Sequence, residues 1–283
     1  MHVELASVQT SDGVRLDGAL ARASGSARLG IDLIIFHHGV GGHFYGPSIA
    51  AALTERFLDE GCSVLRVNSR GHDLAYTSPK GPLGAAFEIV DEFRLDSRAW
   101  LDFAVHAGFR RIVLWGHSLG AVKVVYSLAV DEDPRVVAAI ASSPPRLHYE
   151  SVLGGEHQET VESIARAQEL LAAGKPDELV SVDQLPSMSA RTVIDKYGPT
   201  DRYDFFVHLP KVPVPLLLTI GGLENGLRFD ALAKEGPALA AAQANLTFAS
   251  VDGADHSYMS RIPEVWELTR AWLSKLTNLE APV

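Results

Sequence analysis

Apolar and polar residues alternate at the start of the chain. Val3, Leu5 and Ser7-Val8 lead into Ser11-Asp12-Gly13, and the alternation resumes through Val14, Leu16, Gly18 and Leu20. A period of two on either side of an Asp-Gly turn predicts a β-hairpin with one covered face. Past Ser24-Gly25-Ser26 the periodicity changes. Residues 31–36 form a short unbroken apolar run, which predicts a strand covered on both faces. Residues 48–59 repeat with helical spacing, with Pro47 near the start and Gly61 past the end. The same criteria predict strands over 62–67, 112–115, 136–140, 214–220 and 246–251. They predict helices over 88–106, 119–130, 229–242 and 263–276. In the first of these, Ile89, Phe93, Trp100, Phe103 and Ala104 lie on related faces.

Strands alternating with helices over this length predict a doubly wound, mainly parallel α/β sheet with helices on both faces. One stretch breaks the rhythm. From 142 to 210 no strong strand is visible, and a helix is predicted over 159–171, with Val161, Ile164, Ala165, Leu170 and Leu171 as its apolar members. Shorter helical pieces follow near 177–180 and 189–196. Excursions of this length usually fold and carry function. The expectation is a helical cap, residues 142–210, inserted into a core made of 1–141 and 211–283.

The chain has 283 residues, enough for one large domain with an insertion. Its net charge of −10, about half of it in the 142–210 stretch, argues against nucleic-acid and anionic-membrane partners. The single cysteine, Cys62, opens an apolar run, which excludes a disulfide framework and suits a reducing compartment. No basic-then-apolar leader is visible at Met1-His2-Val3-Glu4, and no apolar run approaches the ~18 residues of a membrane span. A cytoplasmic protein is the expectation; the oligomeric state cannot be read from the sequence. No His or Cys pair has zinc spacing, and no G-x-G-x-x-G follows the first buried strand, so neither metal nor dinucleotide cofactor is expected.

Gly116-His117-Ser118-Leu119-Gly120 joins a predicted strand to a predicted helix. A G-x-S-x-G turn there holds a hydroxyl clear of the backbone, and the two glycines let strand and helix close around it. Ser118 is therefore the candidate nucleophile. A serine needs a base, and His256, in the polar loop Asp252-Gly253-Ala254-Asp255-His256-Ser257 after the last strand, would stand on the same rim. The base needs an acceptor on its other nitrogen. Glu224, which leaves a strand through Gly221-Gly222, is the candidate; Asp252 and Asp255 are local rivals. Charge building on a substrate carbonyl oxygen needs preorganised N–H donors. Leu119 and Val40, the latter in His37-His38-Gly39-Val40-Gly41-Gly42, are the candidates. His38 is expected to brace this loop through hydrogen bonds, and Asn68 to Asp73 to form an ionic turn on the same rim. Phe44, Tyr45, Phe205, Phe206 and Tyr258 are candidate apolar walls for a substrate.

These segments together resemble the serine hydrolases of the α/β-hydrolase superfamily: GHSLG, HHGVGG, Ser69-Arg70-Gly71-His72-Asp73, GGLE and GADHS stand in the expected order across nearly the whole chain. The resemblance implies an eight-stranded sheet, antiparallel only near its start, with a helical cap after the sixth strand. By motif it implies Ser118 as nucleophile, His256 as base and Glu224 as acid, with glutamate replacing the commoner aspartate. Within the cap, Met188 to Arg191, Tyr197 to Pro199 and Asp204 to Phe206 are similar to the branch containing siderophore-ester hydrolases. The expected activity is hydrolysis of a small-molecule carboxylic ester through an acyl-enzyme, failing at acid pH as His256 takes up a proton. Cleavage of a C–C bond, thioester or amide by the same groups is the alternative, and a binding protein or receptor on the same fold the second. The absence of aspartate at position 118 makes dehalogenation unlike this site.

Overall fold

The computed structural model describes residues 2–153, 158–182, 185–226 and 228–276. The strands are β1 Glu4–Gln9, β2 Arg15–Ala21, β3 Leu33–His37, β4 Ser63–Val67, β5 Tyr76–Ser78, β6 Gly81–Leu83, β7 Ile112–His117, β8 Val136–Ser142, β9 Leu179–Val182, β10 Leu185–Ser189, β11 Leu216–Gly221 and β12 Leu246–Val251. The α-helices are α1 Ile49–Asp59, α2 Phe93–His106, α3 Leu119–Val130, α4 Tyr149–Leu153, α5 Gln158–Ala172, α6 Ala190–Tyr197, α7 Phe205–His208, α8 Asp230–Ala242 and α9 Ile262–Lys275. Eight strands form one sheet in the order β1-β2-β4-β3-β7-β8-β11-β12. β2 is antiparallel to both β1 and β4, and the other neighbours are parallel.

Two apolar layers cover the sheet. Alternate side chains of β3 divide between them: Leu33 and Ile35 join the layer with Phe93, Trp100 and α3, while Ile34 and Phe36 join Leu53 and Phe57 of α1 and Trp266 of α9. Every β3 residue is thereby buried, as expected of a parallel strand packed on both faces. Ser48 starts α1 where the sequence predicts, its Oγ accepting from the Ala51 N–H at 3.1 Å.

Two expectations are corrected. Residues 88–106 are not one helix: a 3₁₀ turn spans Val90–Glu92 and α2 begins only at Phe93. The Val90 N–H is taken by Asp195 Oδ2 at 2.8 Å, and the Glu88 carboxylate is buried against two lysines. Residues 177–180 do not form a helix either: Leu179–Val182 pairs antiparallel with β10. Its alternation of exposed Leu179 and Ser181 with buried Val180 and Val182 has the period of a strand, over too few residues to stand out in the sequence.

The segment between β8 and β11 therefore folds as helices plus the β9–β10 hairpin. It lies over α3, where Tyr203 meets Tyr126 edge to face at 5.0 Å, and reaches the core again where the Ser189 N–H donates to Ala86 O at 2.7 Å. Covered on both sides, α3 is buried from Leu119 to Leu128, which explains a helix apolar around its whole circumference. Among the described residues no helix is long and apolar enough to cross a membrane.

Candidate active site

Ser118 joins β7 to α3 with φ 56° and ψ −128°, a conformation a non-glycine residue holds only when its surroundings enforce it. Its N–H donates to Ser142 O at 2.8 Å, and its carbonyl accepts from the Ala121 N–H at 2.9 Å. The flanking glycines are required by space. A Cβ on Gly116 would lie 2.2 Å from Gly120 O, and one on Gly120 would lie 2.4 Å from His37 O. A third close approach involves Gly39, where a Cβ would lie 2.8 Å from Ser118 Cβ.

That approach brings the loop after β3 against the serine. His38 is 6 % exposed, and burial, with the Lys123 ammonium nearby, pushes its imidazole down to about 3. The neutral ring donates from Nδ1 to Gly39 O at 2.8 Å and accepts at Nε2 from the Ser69 N–H at 3.1 Å. Holding the Gly39 carbonyl fixes the next peptide plane, so the Val40 N–H points to the opposite side of a trans peptide. Among the described residues neither the Val40 nor the Leu119 N–H donates to a protein acceptor.

His256 and Glu224 come from the loops after β12 and β11. His256 Nδ1 donates to Glu224 Oε1 at 2.5 Å, and Glu224 Oε2 accepts from the Gly221 N–H at 2.7 Å and from Ser143 Oγ. The two loops touch through glycine, since a Cβ on Gly221 would lie 2.7 Å from Ala254 O. Asp255 instead caps its own turn, accepting from the Ser257 and Tyr258 N–H groups at 3.0 Å each. Asp252 is exposed.

Ser118 and His256 line one cavity of about 380 Å³, together with Phe36, His43, Ile49, Leu185 and Met259, and with His38, Gly39 and Val40. No hydrogen bond joins Ser118 Oγ to His256 among the described residues, and such bonds commonly tighten only on substrate. The expected aromatic walls lie elsewhere. Phe44 donates its N–H to Asn68 Oδ1, and Tyr45 is exposed with its hydroxyl on Asp73. Phe205 is fully buried, Phe206 lies 4.4 Å from the Arg146 guanidinium, and Tyr258 is buried against Ser143. None of the five is among the residues lining this cavity. Their apolar character was visible in the sequence, but the rings are taken up by one another and by distant polar partners: Phe44 packs on Tyr45 and Phe205 on Phe206, while Tyr45, Phe206 and Tyr258 meet Asp73, Arg146 and Ser143.

Nothing in the sequence marks His117 as a brace. Burial, and next the neighbouring His256, push its imidazole down to about 4, and its Nε2 donates to His256 O at 2.7 Å. It ties the loop carrying His256 to the turn carrying Ser118. Behind the His38 loop, Lys123 reaches both Ser69 Oγ and Glu88, and Lys196 from α6 reaches Glu88 at 3.2 Å. Burial alone would raise Glu88; the two ammonium groups bring it down to about 2. Arg70 pairs with Asp96, Glu92 and Asp12 on the same side, an ionic turn of the kind expected there. Among the described residues no group of three His, Cys, Asp or Glu is placed to hold a metal ion.

Comparison with known proteins agrees with this architecture. A family model described as "Alpha/beta hydrolase family" matches residues 34–266. No curated protein matches the chain. Among solved structures, Est1E from Butyrivibrio proteoclasticus with ferulic acid bound is 19% identical, with 96% of this chain and 97% of that one covered at a TM-score of 0.67. The Pyrococcus furiosus esterase Pf2001 is 18% identical, covering 97% and 91% at a TM-score of 0.66. The alpha/beta hydrolase GrgF from Penicillium sp. is 13% identical, covering 97% and 99% at a TM-score of 0.69. At these identities the likeness is one of fold.

Proposed function

The chain belongs to the alpha/beta hydrolase family, and we propose that it is a serine hydrolase that opens a carboxylic ester of an uncharged organic substrate through an acyl-enzyme. The observation that carries this reading is Ser118, held in a strained turn within a cavity shared with His256, whose Nδ1 is engaged by Glu224. In the proposed cycle His256 Nε2 takes the Ser118 proton as Oγ attacks the ester carbonyl. The electron pair displaced onto the carbonyl oxygen rests against the Val40 and Leu119 N–H groups. Collapse expels the alcohol, which receives the proton from His256. Water, deprotonated by the same nitrogen, then attacks the acyl group, and the acid leaves as Ser118 is restored.

The lining favours a neutral substrate. Phe36, Val40, Pro47, Ile49, Leu185 and Met259 supply its apolar part, and among the described residues no Lys, Arg, Asp or Glu lines it. Leu185 belongs to the segment between β8 and β11, which we take as a cap, residues 142–210, on a core of 1–141 and 211–283. The buried thiol of Cys62 suits a cytoplasmic setting. Since Est1E has been seen with ferulic acid, aromatic acyl esters belong in the first panel, beside short and long alkyl esters, thioesters and amides.

A fluorophosphonate probe provides the test. It is expected to label the wild-type protein covalently and to leave Ser118→Ala unlabelled, with kcat/KM for the best ester falling by at least ~10⁴-fold. Labelling and turnover that survive in Ser118→Ala would sink the proposal. Preference for a thioester or amide over every ester would keep the mechanism and change the bond.

A further inference from the structure

Glutamate carries one more methylene than aspartate, and so one more torsion by which its carboxylate can miss the imidazole. Glu224 nonetheless presents one oxygen to His256, and its side chain is only 3 % exposed. The other oxygen is occupied by two donors, the Gly221 N–H at 2.7 Å and the Ser143 hydroxyl. Ser143 is itself fully buried, and its N–H donates to Thr219 O at 2.8 Å, which fixes it between the ends of β8 and β11. The Tyr258 hydroxyl lies 2.7 Å from Ser143 Oγ. A serine has one proton to give, and this one goes to the carboxylate, so Tyr258 is the donor of that pair. Tyr258 is 1 % exposed, and burial raises its hydroxyl above the usual tyrosine range, which keeps the proton on it.

Both residues hold backbone conformations that disfavour side chains, with φ 50° at Ser143 and 59° at Tyr258. Two such positions, from loops more than a hundred residues apart in sequence, meet each other, and the first of them meets the carboxylate. We propose that Ser143, oriented by the Tyr258 hydroxyl, is a positioning residue that fixes the Glu224 carboxylate so that Oε1 alone faces His256. The inference rests on the serine-hydrolase reading above. It assigns a part to Ser143, which has no charge and does not face the cavity.

The test uses the full chain and its best ester. Glycine at 143 removes the hydroxyl and suits the positive φ, so Ser143→Gly separates positioning from folding. Its melting temperature is expected to hold, while kcat falls about tenfold with KM within about twofold. Ser143→Ala is expected to show the same kinetic split. Tyr258→Phe acts through Ser143, so its effect is smaller, about threefold in kcat, and Ser143→Ala/Tyr258→Phe is no slower than Ser143→Ala alone. The inference is overturned if Ser143→Gly keeps kcat within about twofold of wild type while Glu224→Gln loses it, or if the serine and tyrosine effects multiply. Full activity in Glu224→Gln would instead overturn the triad reading on which the inference stands.

Discussion

Gly39 shows how closely the proposed chemistry is tied to single positions. Its backbone φ is not among the positive ones, so alanine is conformationally permitted there, yet the added methyl would press on Ser118 Cβ at 2.8 Å. Gly39→Ala should therefore fold with a modest loss of stability and lose about a hundredfold in kcat, measured by steady-state kinetics on the purified variant. Glu224→Asp draws the carboxylate back by one methylene, and a fall of about tenfold or more in kcat is expected, with fluorophosphonate labelling slowed in parallel. The glycines around Ser118 announced the turn in the sequence, because a strand and a helix can meet this closely only where no Cβ intervenes. Glu224 stood out through chain order and the glycines before it. His117 and Ser143 did not stand out, since a brace is recognised only by what it touches, and those partners lie 139 and 81 residues away.

Secondary structure was readable wherever a run was long or a cap was present. α3 and β12 begin and end as the sequence predicts, Leu119–Val130 and Leu246–Val251. The four-residue β9 and the late start of α2 were not, because the backbone at Val90 answers to Asp195, a residue of the inserted segment. The same region holds the buried Lys123–Glu88–Lys196 group. Removing its one carboxylate leaves two ammonium groups without a counter-charge. Glu88→Gln should cost about 3–5 kcal/mol in urea unfolding. Lys196→Met leaves the Lys123–Glu88 pair intact and should cost about 1 kcal/mol or less. The reverse order of these two losses would show that the inserted segment, not the core, depends most on the cluster.

Across the whole molecule, the buried histidines make the stability of the folded chain sensitive to acid. His37 and His38 are pushed down to about 3 and His117 to about 4, each chiefly by burial, from an ordinary 6.5. Between those values the unfolded chain binds protons that the folded one refuses, so stability is lost as pH falls below the ordinary value. Glu88, brought down to about 2 from 4.5, adds a loss in the same direction once pH drops below 4.5. The melting temperature of Ser118→Ala is expected to fall by roughly 10 °C between pH 7 and pH 5, independently of catalysis. A flat profile over that range would mean that these rings are not held neutral. The sheet order has a different consequence. β8 and β11 are hydrogen-bonded neighbours, with Ala139 opposite Leu216, so the segment that leaves one strand rejoins at the adjacent one. The two strands run parallel, so the segment leaves at the carboxyl end of β8, where Ser142 stands opposite Thr219, and crosses back to the amino end of β11 at Leu216, about 10 Å away along the ladder. Neither Ser118 nor His256 lies inside it, while Ser143 does. A foreign excursion grafted there would have to span that crossover and retain Ser143, so the frame around Glu224 extends one residue into the stretch that would be exchanged.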